Sequence, residues 1–255
     1  MTTNTRSRTC IPPSRAQWRK RMPSLLERIR VVAFDLDGTL VDTAPDLALA
    51  ANAMLESLGY PPLAKRQIEA LIGDGIDKLV EGVLIESIDR VTGPAVLAAA
   101  RTQFRQLYAT RLFDRSRVYP TVLTTLQALG ARGKRLCCVT NKHSAFTSPL
   151  LDAAKLTNFF AFALCADRAE ERKPKPDLLL AASARLQVAP SEMLYVGDSA
   201  ADIAAAHAAG CPVAAVDYGY TERNRLAEAC PDWIIGSIAE LVALPAEPRF
   251  ANVEA

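Results

Sequence analysis

VVAFDLDGTLVDTAP, residues 31–45, combines an apolar run, two carboxylates one residue apart and the opening of a helix in one short segment. Residues 31–34 show no polar alternation, the pattern of a short strand buried on both faces. Asp35 and Asp37 come directly after. Like charges this close oppose each other's ionisation unless a cation or a hydrogen-bond network holds them. Asp37-Gly38 taken alone is a hairpin signal. A hairpin needs a second strand of period two, however, and the next residues read as a turn and a helix opening near Thr43, with Pro45 at its start and Asp46 in its first turn. An EF-hand loop is excluded because no bidentate Glu stands at its twelfth position.

Working outward, further apolar runs at 136–139, 162–164, 193–196, 213–216 and 233–235 read as buried strands. Helical segments at 120–131, 144–155, 176–186 and 199–210, the last stopped by Gly210, alternate with most of them. Such alternation predicts an α/β fold, a parallel sheet with helices on both faces. Between 44 and 113 there is only helical periodicity, punctuated by Gly59, Pro61-Pro62, Gly73, Gly75 and Gly93-Pro94, which reads as a four-helix insert after the first strand. The expected organisation is a basic extension over 1–30, a core made of 31–43 and 114–245, and the insert over 44–113.

The chain has 255 residues, half of them apolar, enough for a real core. Its net charge of +2 is unevenly spread: residues 1–30 hold eight Lys or Arg against Glu27, so this head carries +7 and the remainder −5. A mildly acidic body argues against a nucleic-acid surface. The head lacks the apolar stretch of a signal peptide and contains Pro12, Pro13 and Pro23; although Arg-rich like a transit sequence, it has no clean amphipathic period and reads as a disordered extension or an early start before Met22. No run approaches the ~20 apolar residues of a membrane span. Six cysteines without zinc or redox spacing, two of them adjacent at 137 and 138, read as buried reduced thiols in a cytoplasmic protein.

Sites in open parallel sheets gather beyond the carboxyl ends of the strands. Those ends carry Asp35 and Asp37, then Thr140-Asn141-Lys142, then Gly197-Asp198-Ser199 with Asp202, while Lys173-Pro174-Lys175-Pro176 precedes the helix at 177. Together they form one crevice of acids, a hydroxyl, an amide and cations. A hard cation relieves the repulsion in the first loop: Asp35 and Asp198 with a backbone oxygen and waters make the sparse oxygen shell that Mg²⁺ prefers. Asp198 or Ser199 also suits a helix N-cap, with Asp202 in the first turn, and the two readings are compatible. At Thr140-Asn141-Lys142 a strand-end turn competes with binding of an anion's oxygens. The prolines of KPKP stiffen the loop that carries Lys173. A P-loop is absent, and His143 and His207 give no Ser-His-Asp set.

In this order, DLDGTL (35–40), TNK (140–142), KPKPD (173–177) and GDSAAD (197–202) resemble the haloacid dehalogenase superfamily, specifically its phosphatases with a helical cap inserted after the first motif. The likeness runs from about residue 31 to 244. It implies a Rossmann-like core and a Mg²⁺-dependent phosphoaspartyl mechanism. By position Asp35 would be the nucleophile and Asp37 the general acid, then base; Thr140, Asn141 and Lys142 would hold the substrate, and Lys173 would neutralise charge. Asp35, Asp37 through its carbonyl, Asp198 and, in support, Asp202 would serve the metal. Dehalogenases proper usually lack an acid at position 37, which argues against carbon–halogen cleavage.

LIGDGIDKLV (71–80) and the late segment from VDYGY (216–220) are similar to phosphoglycolate phosphatases, in which the loop matching Gly73-Asp74-Gly75 faces the substrate. Where such relatives often carry Gly-Gly-Asp-Thr, this chain has Cys165-Ala166-Asp167-Arg168, with Arg168 expected near the rim. The leading expectation is hydrolysis of a small phosphoester, 2-phosphoglycolate first, by a monomer or homodimer without nucleic-acid or membrane partners. Phosphorylated N-acetylmuramic acid is the rival substrate and a phosphomutase of the same fold the rival enzyme. A phospho-ligand binder would need neither nucleophile nor acid.

Overall fold

The computed structural model describes residues 24–89 and 93–246. The segment at 31–34 forms β1 (Val31–Phe34), the third strand of a six-stranded sheet. Along the chain its partners are β4 (Arg135–Thr140), β5 (Ala163–Cys165), β6 (Met193–Gly197), β7 (Val213–Val216) and β8 (Trp233–Ile235), in the spatial order β5-β4-β1-β6-β7-β8. Every pairing is parallel. This is the expected α/β architecture.

Alternating side chains explain why the strands read as unbroken apolar runs. Val32, Phe34, Leu136, Cys138, Leu194 and Val196 enter one core with α6 (Val122–Ala131) and α7 (Ser144–Ala153). Their neighbours Val31, Ala33, Cys137, Val139, Met193 and Tyr195 enter a second core with α8 (Asp177–Arg185) and α9 (Ala200–Ala209). Both faces of the sheet are therefore dry, and Cys137 and Cys138 point to opposite sides, as successive residues of a strand must. Hydrogen bonding rather than apolarity sets the strand ends, so β4 and β6 extend past the expected runs and β5 is displaced by one residue from 162–164.

The core begins earlier than expected. α1 (Leu25–Arg28) lies within the supposed basic extension, yet Leu25, Leu26 and Ile29 are buried in the first core. Lys134 Nζ donates to the carbonyls of Leu26 (2.6 Å) and Ile29 (2.7 Å), and Ser24 pairs with Pro245. The boundary at residue 31 is thus corrected to one no later than residue 24: two leucines of α1 and the isoleucine that follows it, all buried, outweigh the surrounding arginines. The rest of the head, residues 1–23, lies outside the described residues.

Four helices follow the first strand: α2 (Ala44–Ser57), α3 (Lys65–Glu69), α4 (Ile76–Ile88) and α5 (Pro94–Ala109). They share a third apolar cluster that includes Leu47, Met54, Val80, Phe104 and Tyr108. Two chain segments connect them to the sheet, and β2 (Val41–Asp42) pairs antiparallel with β3 (Arg117–Val118) so that these connections run side by side. Asp46 clamps them: its fully buried carboxylate accepts from Ser116 N (2.8 Å), Ser116 Oγ (2.6 Å) and Arg115 N (2.9 Å). Among the described residues no helix is long and apolar enough to cross a membrane.

Candidate active site

The register brings the motifs together. Phe34 lies opposite Cys138 on one side and Val196 on the other, so β4, β1 and β6 release Thr140, Asp35 and Asp198 side by side. Beyond Phe34 the chain coils tightly, with Leu36 O accepting from Leu40 N (3.0 Å) and Val41 N (3.1 Å). Gly38 sits at φ +79° against Asp198, and a Cβ there would fall 2.3 Å from Asp198 Oδ2. Only glycine permits both that backbone and that approach.

Asp35, Asp198 and Asp202 each offer a carboxylate oxygen within 4.8 Å of the others. Lys173 Nζ reaches Asp202 Oδ1 at 2.6 Å, the Tyr195 hydroxyl at 2.8 Å and Asp35 Oδ1 at 3.0 Å. The contact to Asp35 is an ion pair outside hydrogen-bonding geometry, so this buried oxygen receives no directed hydrogen bond. Burial raises the Asp35 carboxyl to about 6; Lys173 opposes the rise, and Asp202 and Asp37 add to it. Burial likewise holds Asp198 well above the ordinary carboxyl range, reinforced by Asp202 and Asp35 against hydrogen bonds from Tyr220 N and Thr39. Burial pulls the Lys173 ammonium down, but Asp202 and Asp35 outweigh it and leave its pKa raised.

Asp202 occupies a different place in this cluster. Its Oδ2 accepts from Asp198 N (3.2 Å), Ser199 N (3.0 Å) and Ser199 Oγ (2.6 Å), and Oδ1 faces Lys173 and Tyr195. Ser199 Oγ in turn accepts from Asp202 N, which closes the capping box that starts α9. With five donors around it, Asp202 orders the loop and orients Lys173.

The Asp37 side chain points away from these three acids. Its Oδ1 accepts from Thr43 Oγ1 at 2.6 Å and from Lys142 Nζ at 3.0 Å, with Lys142 Nζ 3.1 Å from Oδ2. Lys142 also donates to the Tyr108 hydroxyl on α5 at 2.9 Å. Burial lowers the Lys142 ammonium, and Asp37 and Tyr108 more than reverse that. Two acids separated by a single residue therefore meet different cations.

A crevice runs between the strand ends and the inserted helices. Asp35, Asp37, Thr140, Asn141 and Lys142 wall it on the sheet side, and Ile72, Gly73, Gly75, Ile76 and Leu79 on the other. Asp74, expected to face the same space, instead lines a wider adjoining cleft with Lys78, Ser199 and Arg225. The Asn141 side chain is committed within the protein: Oδ1 accepts from Lys173 N (2.8 Å), and Nδ2 donates to Gly73 O (3.0 Å) and Lys173 O (3.1 Å). It staples the lysine loop to the glycine loop of the insert.

Arg168 is exposed and paired with Glu171, away from the crevice. The arginine that meets the glycine loop is Arg172, whose guanidinium would lie 3.2 Å from a Cβ on Gly75 and reaches Asp77 Oδ2 at 3.3 Å. Sequence reasoning missed Arg172, Tyr108, Thr43 as a partner of Asp37, and Tyr220. Arg172 adjoins a motif, so its position was available; Tyr108 lies on a helix face that reads as core.

Comparison with known proteins agrees with this geometry. Residues 32–216, more than half of the chain, match the family described as haloacid dehalogenase-like hydrolase. The chain is 44% identical over 216 residues to a phosphoglycolate phosphatase of Nitrosospira multiformis, covering 85% of this chain and 95% of that one. It is 38% identical over 249 residues to the phosphoglycolate phosphatase of Escherichia coli O157:H7, covering 91% and 98%. A crystal structure of a predicted phosphoglycolate phosphatase from Haemophilus somnus 129pt superimposes with a TM-score of 0.81 at 34% identity, covering 85% of this chain and 97% of that one. With the motif order, the sheet and the acid cluster all in agreement, the chain belongs to the haloacid dehalogenase-like hydrolase family.

Proposed function

We propose that the protein is a Mg²⁺-dependent phosphatase of small phosphorylated metabolites, with 2-phosphoglycolate the first substrate, acting through a phosphorylated Asp35. The observation that carries this is the buried Asp35 carboxylate, held beside Lys173 and within 4.8 Å of Asp198 and Asp202. The relatives named phosphoglycolate phosphatase support the choice of substrate. In this reading 44–113 is a cap over a core that includes 114–245.

The residues suit a hard divalent ion: three buried acids, one with an oxygen that no hydrogen bond satisfies, leave a site short of positive charge. Asp35 and Asp198 would hold the ion, and Asp37 would join through its backbone carbonyl, because its carboxylate is engaged with Thr43 and Lys142. Asp202 would support from behind. Such an ion neutralises charge between an attacking carboxylate and phosphoryl oxygens.

Asp35 attacks phosphorus, and the bond from phosphorus to the leaving oxygen breaks. Asp37, as the general acid of this reading, delivers a proton to that oxygen. The resulting Asp37 carboxylate then takes a proton from water, whose oxygen attacks phosphorus, releasing inorganic phosphate and regenerating Asp35. Thr140 and Asn141, which line the crevice, would meet the phosphoryl oxygens, with the Lys142 amide holding Thr140 Oγ1 at 3.2 Å. Lys173 offsets the negative charge that builds on Asp35 and the phosphoryl group. The apolar side chains of Ile72, Ile76 and Leu79 on the crevice wall would limit water around the reacting groups. The five cysteines among the described residues are unpaired, which fits a reducing compartment such as the cytoplasm.

A phosphate-release assay over a panel of small phosphoesters tests this. Phosphate should appear from 2-phosphoglycolate with Mg²⁺ and cease with EDTA. A preference for another phosphoester by orders of magnitude would overturn the substrate, and isomerised sugar phosphate without free phosphate would overturn hydrolysis.

A further inference from the structure

Tyr220 connects two parts of the molecule that nothing in the reaction scheme above requires to be joined. Its backbone N–H donates to Asp198 Oδ2 at 2.9 Å, on a carboxylate whose other oxygen accepts from Thr39 Oγ1 at 3.0 Å. Gly219 beside it lies so close that a Cβ there would be 2.4 Å from Asp198 Cβ. The Tyr220 side chain runs the other way, to the start of α2. Its phenol oxygen accepts from Thr43 N (2.7 Å) and Ala44 N (2.9 Å) and donates to Asp42 Oδ1 (3.1 Å).

α2 receives no capping hydrogen bond from its own N-cap side chain. The Thr43 amide is satisfied by a phenol that the chain supplies 177 residues later, and the Ala44 amide is shared between that phenol and Asp42 Oδ1 at 3.3 Å. A helix start without such a partner leaves donors unsatisfied. Thr43 is also the residue whose hydroxyl donates to Asp37 Oδ1. A continuous chain of contacts thus runs from Asp198 through Tyr220 and Thr43 to Asp37. Tyr218 reinforces it by donating to Thr39 O at 2.8 Å.

We infer that Tyr220 is a positioning residue for leaving-group protonation: its phenol fixes Thr43, and Thr43 aims the Asp37 carboxyl. The inference rests on the phosphatase reading, in which Asp37 is the acid. It makes a demand that general stabilisation does not. Losing the phenol must hurt substrates in proportion to their need for a proton.

The test is Tyr220→Phe, which keeps the ring and removes the oxygen, assayed for kcat/KM, which reports steps through departure of the leaving group. With 2-phosphoglycolate, an alkyl ester, kcat/KM should fall about tenfold, a fraction of what a general acid contributes. With para-nitrophenyl phosphate, whose leaving group departs without a proton, it should change less than about twofold. Thr43→Val should give the same contrast, Thr43→Ser should not, and Tyr220→Phe with Thr43→Val should be no worse than the poorer single variant. Independently of activity, hydrogen exchange at the Thr43 and Ala44 amides of metal-free protein should quicken in Tyr220→Phe. Equal losses on the two esters, multiplicative losses in the double variant, or unchanged exchange would overturn the inference. Should the wild-type protein release no phosphate from either ester, the phosphatase reading itself fails instead.

Discussion

Asp35→Asn should make the metal-free protein more stable at alkaline pH while abolishing turnover. Burial raises the Asp35 carboxyl from 3.8 to about 6 even with Lys173 at 3.0 Å, so the fold binds that proton more tightly than the unfolded chain does. The stabilisation this provides is fully present below the unfolded value and is lost as pH rises through about 6. At pH 8 the ionised carboxylate therefore costs the metal-free fold about 3 kcal/mol, from 1.36 kcal/mol for each tenfold change, and at pH 4.5 about 1 kcal/mol has been lost relative to full protonation at low pH. Asparagine has nearly the same volume and no charge, and Lys173 keeps Asp202 as its partner at 2.6 Å.

In EDTA at pH 8, the melting temperature of Asp35→Asn should exceed that of wild type by about 6–12 °C, taking ~2–4 °C per kcal/mol for a chain of this size. The gap should narrow progressively below pH 6. Saturating Mg²⁺ should close it from the other side, since a ligand at about a hundredfold over its Kd contributes about 2.7 kcal/mol to the form that binds it. Asp35→Asn should gain less from the ion. Equal or lower stability of Asp35→Asn in EDTA at pH 8, or a gap that ignores pH, would refute the account of the cluster as a charge-deficient site.

Gly38→Ala should cost about 1–3 kcal/mol and most of the activity, because its backbone is left-handed and the new methyl group would meet Asp198; Gly130→Ala, exposed within α6 with nothing within 4 Å, should instead stabilise by about 0.5–1 kcal/mol in the same denaturation assay. Leu26→Ala should lower unfolding free energy by about 2–4 kcal/mol if α1 belongs to the core, and a change below about 0.5 kcal/mol would return that segment to the basic head. Arg172→Ala should raise KM about fivefold, equivalent to about 1 kcal/mol, with kcat nearly unchanged, because Arg172 touches the glycine loop rather than the reacting atoms. A fall in kcat at constant KM would contradict that placement.

What was legible in the sequence came from periodicity and from order. Strands buried on both faces declare themselves as short apolar runs, and their exits carry the polar groups that β1, β4 and β6 bring together. The acids, Lys173 and Thr140 could be found because the motifs sit at those exits. What escaped had no such signature. β2 and β3 are two residues each, too short for any period, although their pairing aligns both connections to the insert. Asp74 and Gly75 are neighbours in sequence, but the turn before α4 sends one into the adjoining cleft and leaves the other on the crevice. Arg168 and Arg172 are equally basic, and only the fold shows which one lies against Gly75. Leu25 and Leu26 were hidden by the charge around them.

The pair of aspartates at 35 and 37 shows why such a motif cannot be understood from its own residues. Asp35 shares its environment with Lys173, Asp198 and Asp202, all from the sheet side. Asp37 shares its environment with Thr43, at the root of the insert, and with Lys142, which Tyr108 of α5 also holds. The insert therefore contributes direct partners to one acid, while those of the other come from the core. Pairs of acids with divergent surroundings can divide nucleophile and proton carrier between them. Here the division is one of directness: displacement of α2 and α5 relative to the sheet would disturb the immediate partners of Asp37. It would reach Asp35 only through Asn141, which ties Lys173 to Gly73, and through Tyr220, which ties Asp198 to the start of α2. In the proposed reaction, proton delivery would then depend directly on the insert's position and the attacking carboxylate only at one remove, so that the chemistry would be completed when the insert lies over the strand ends.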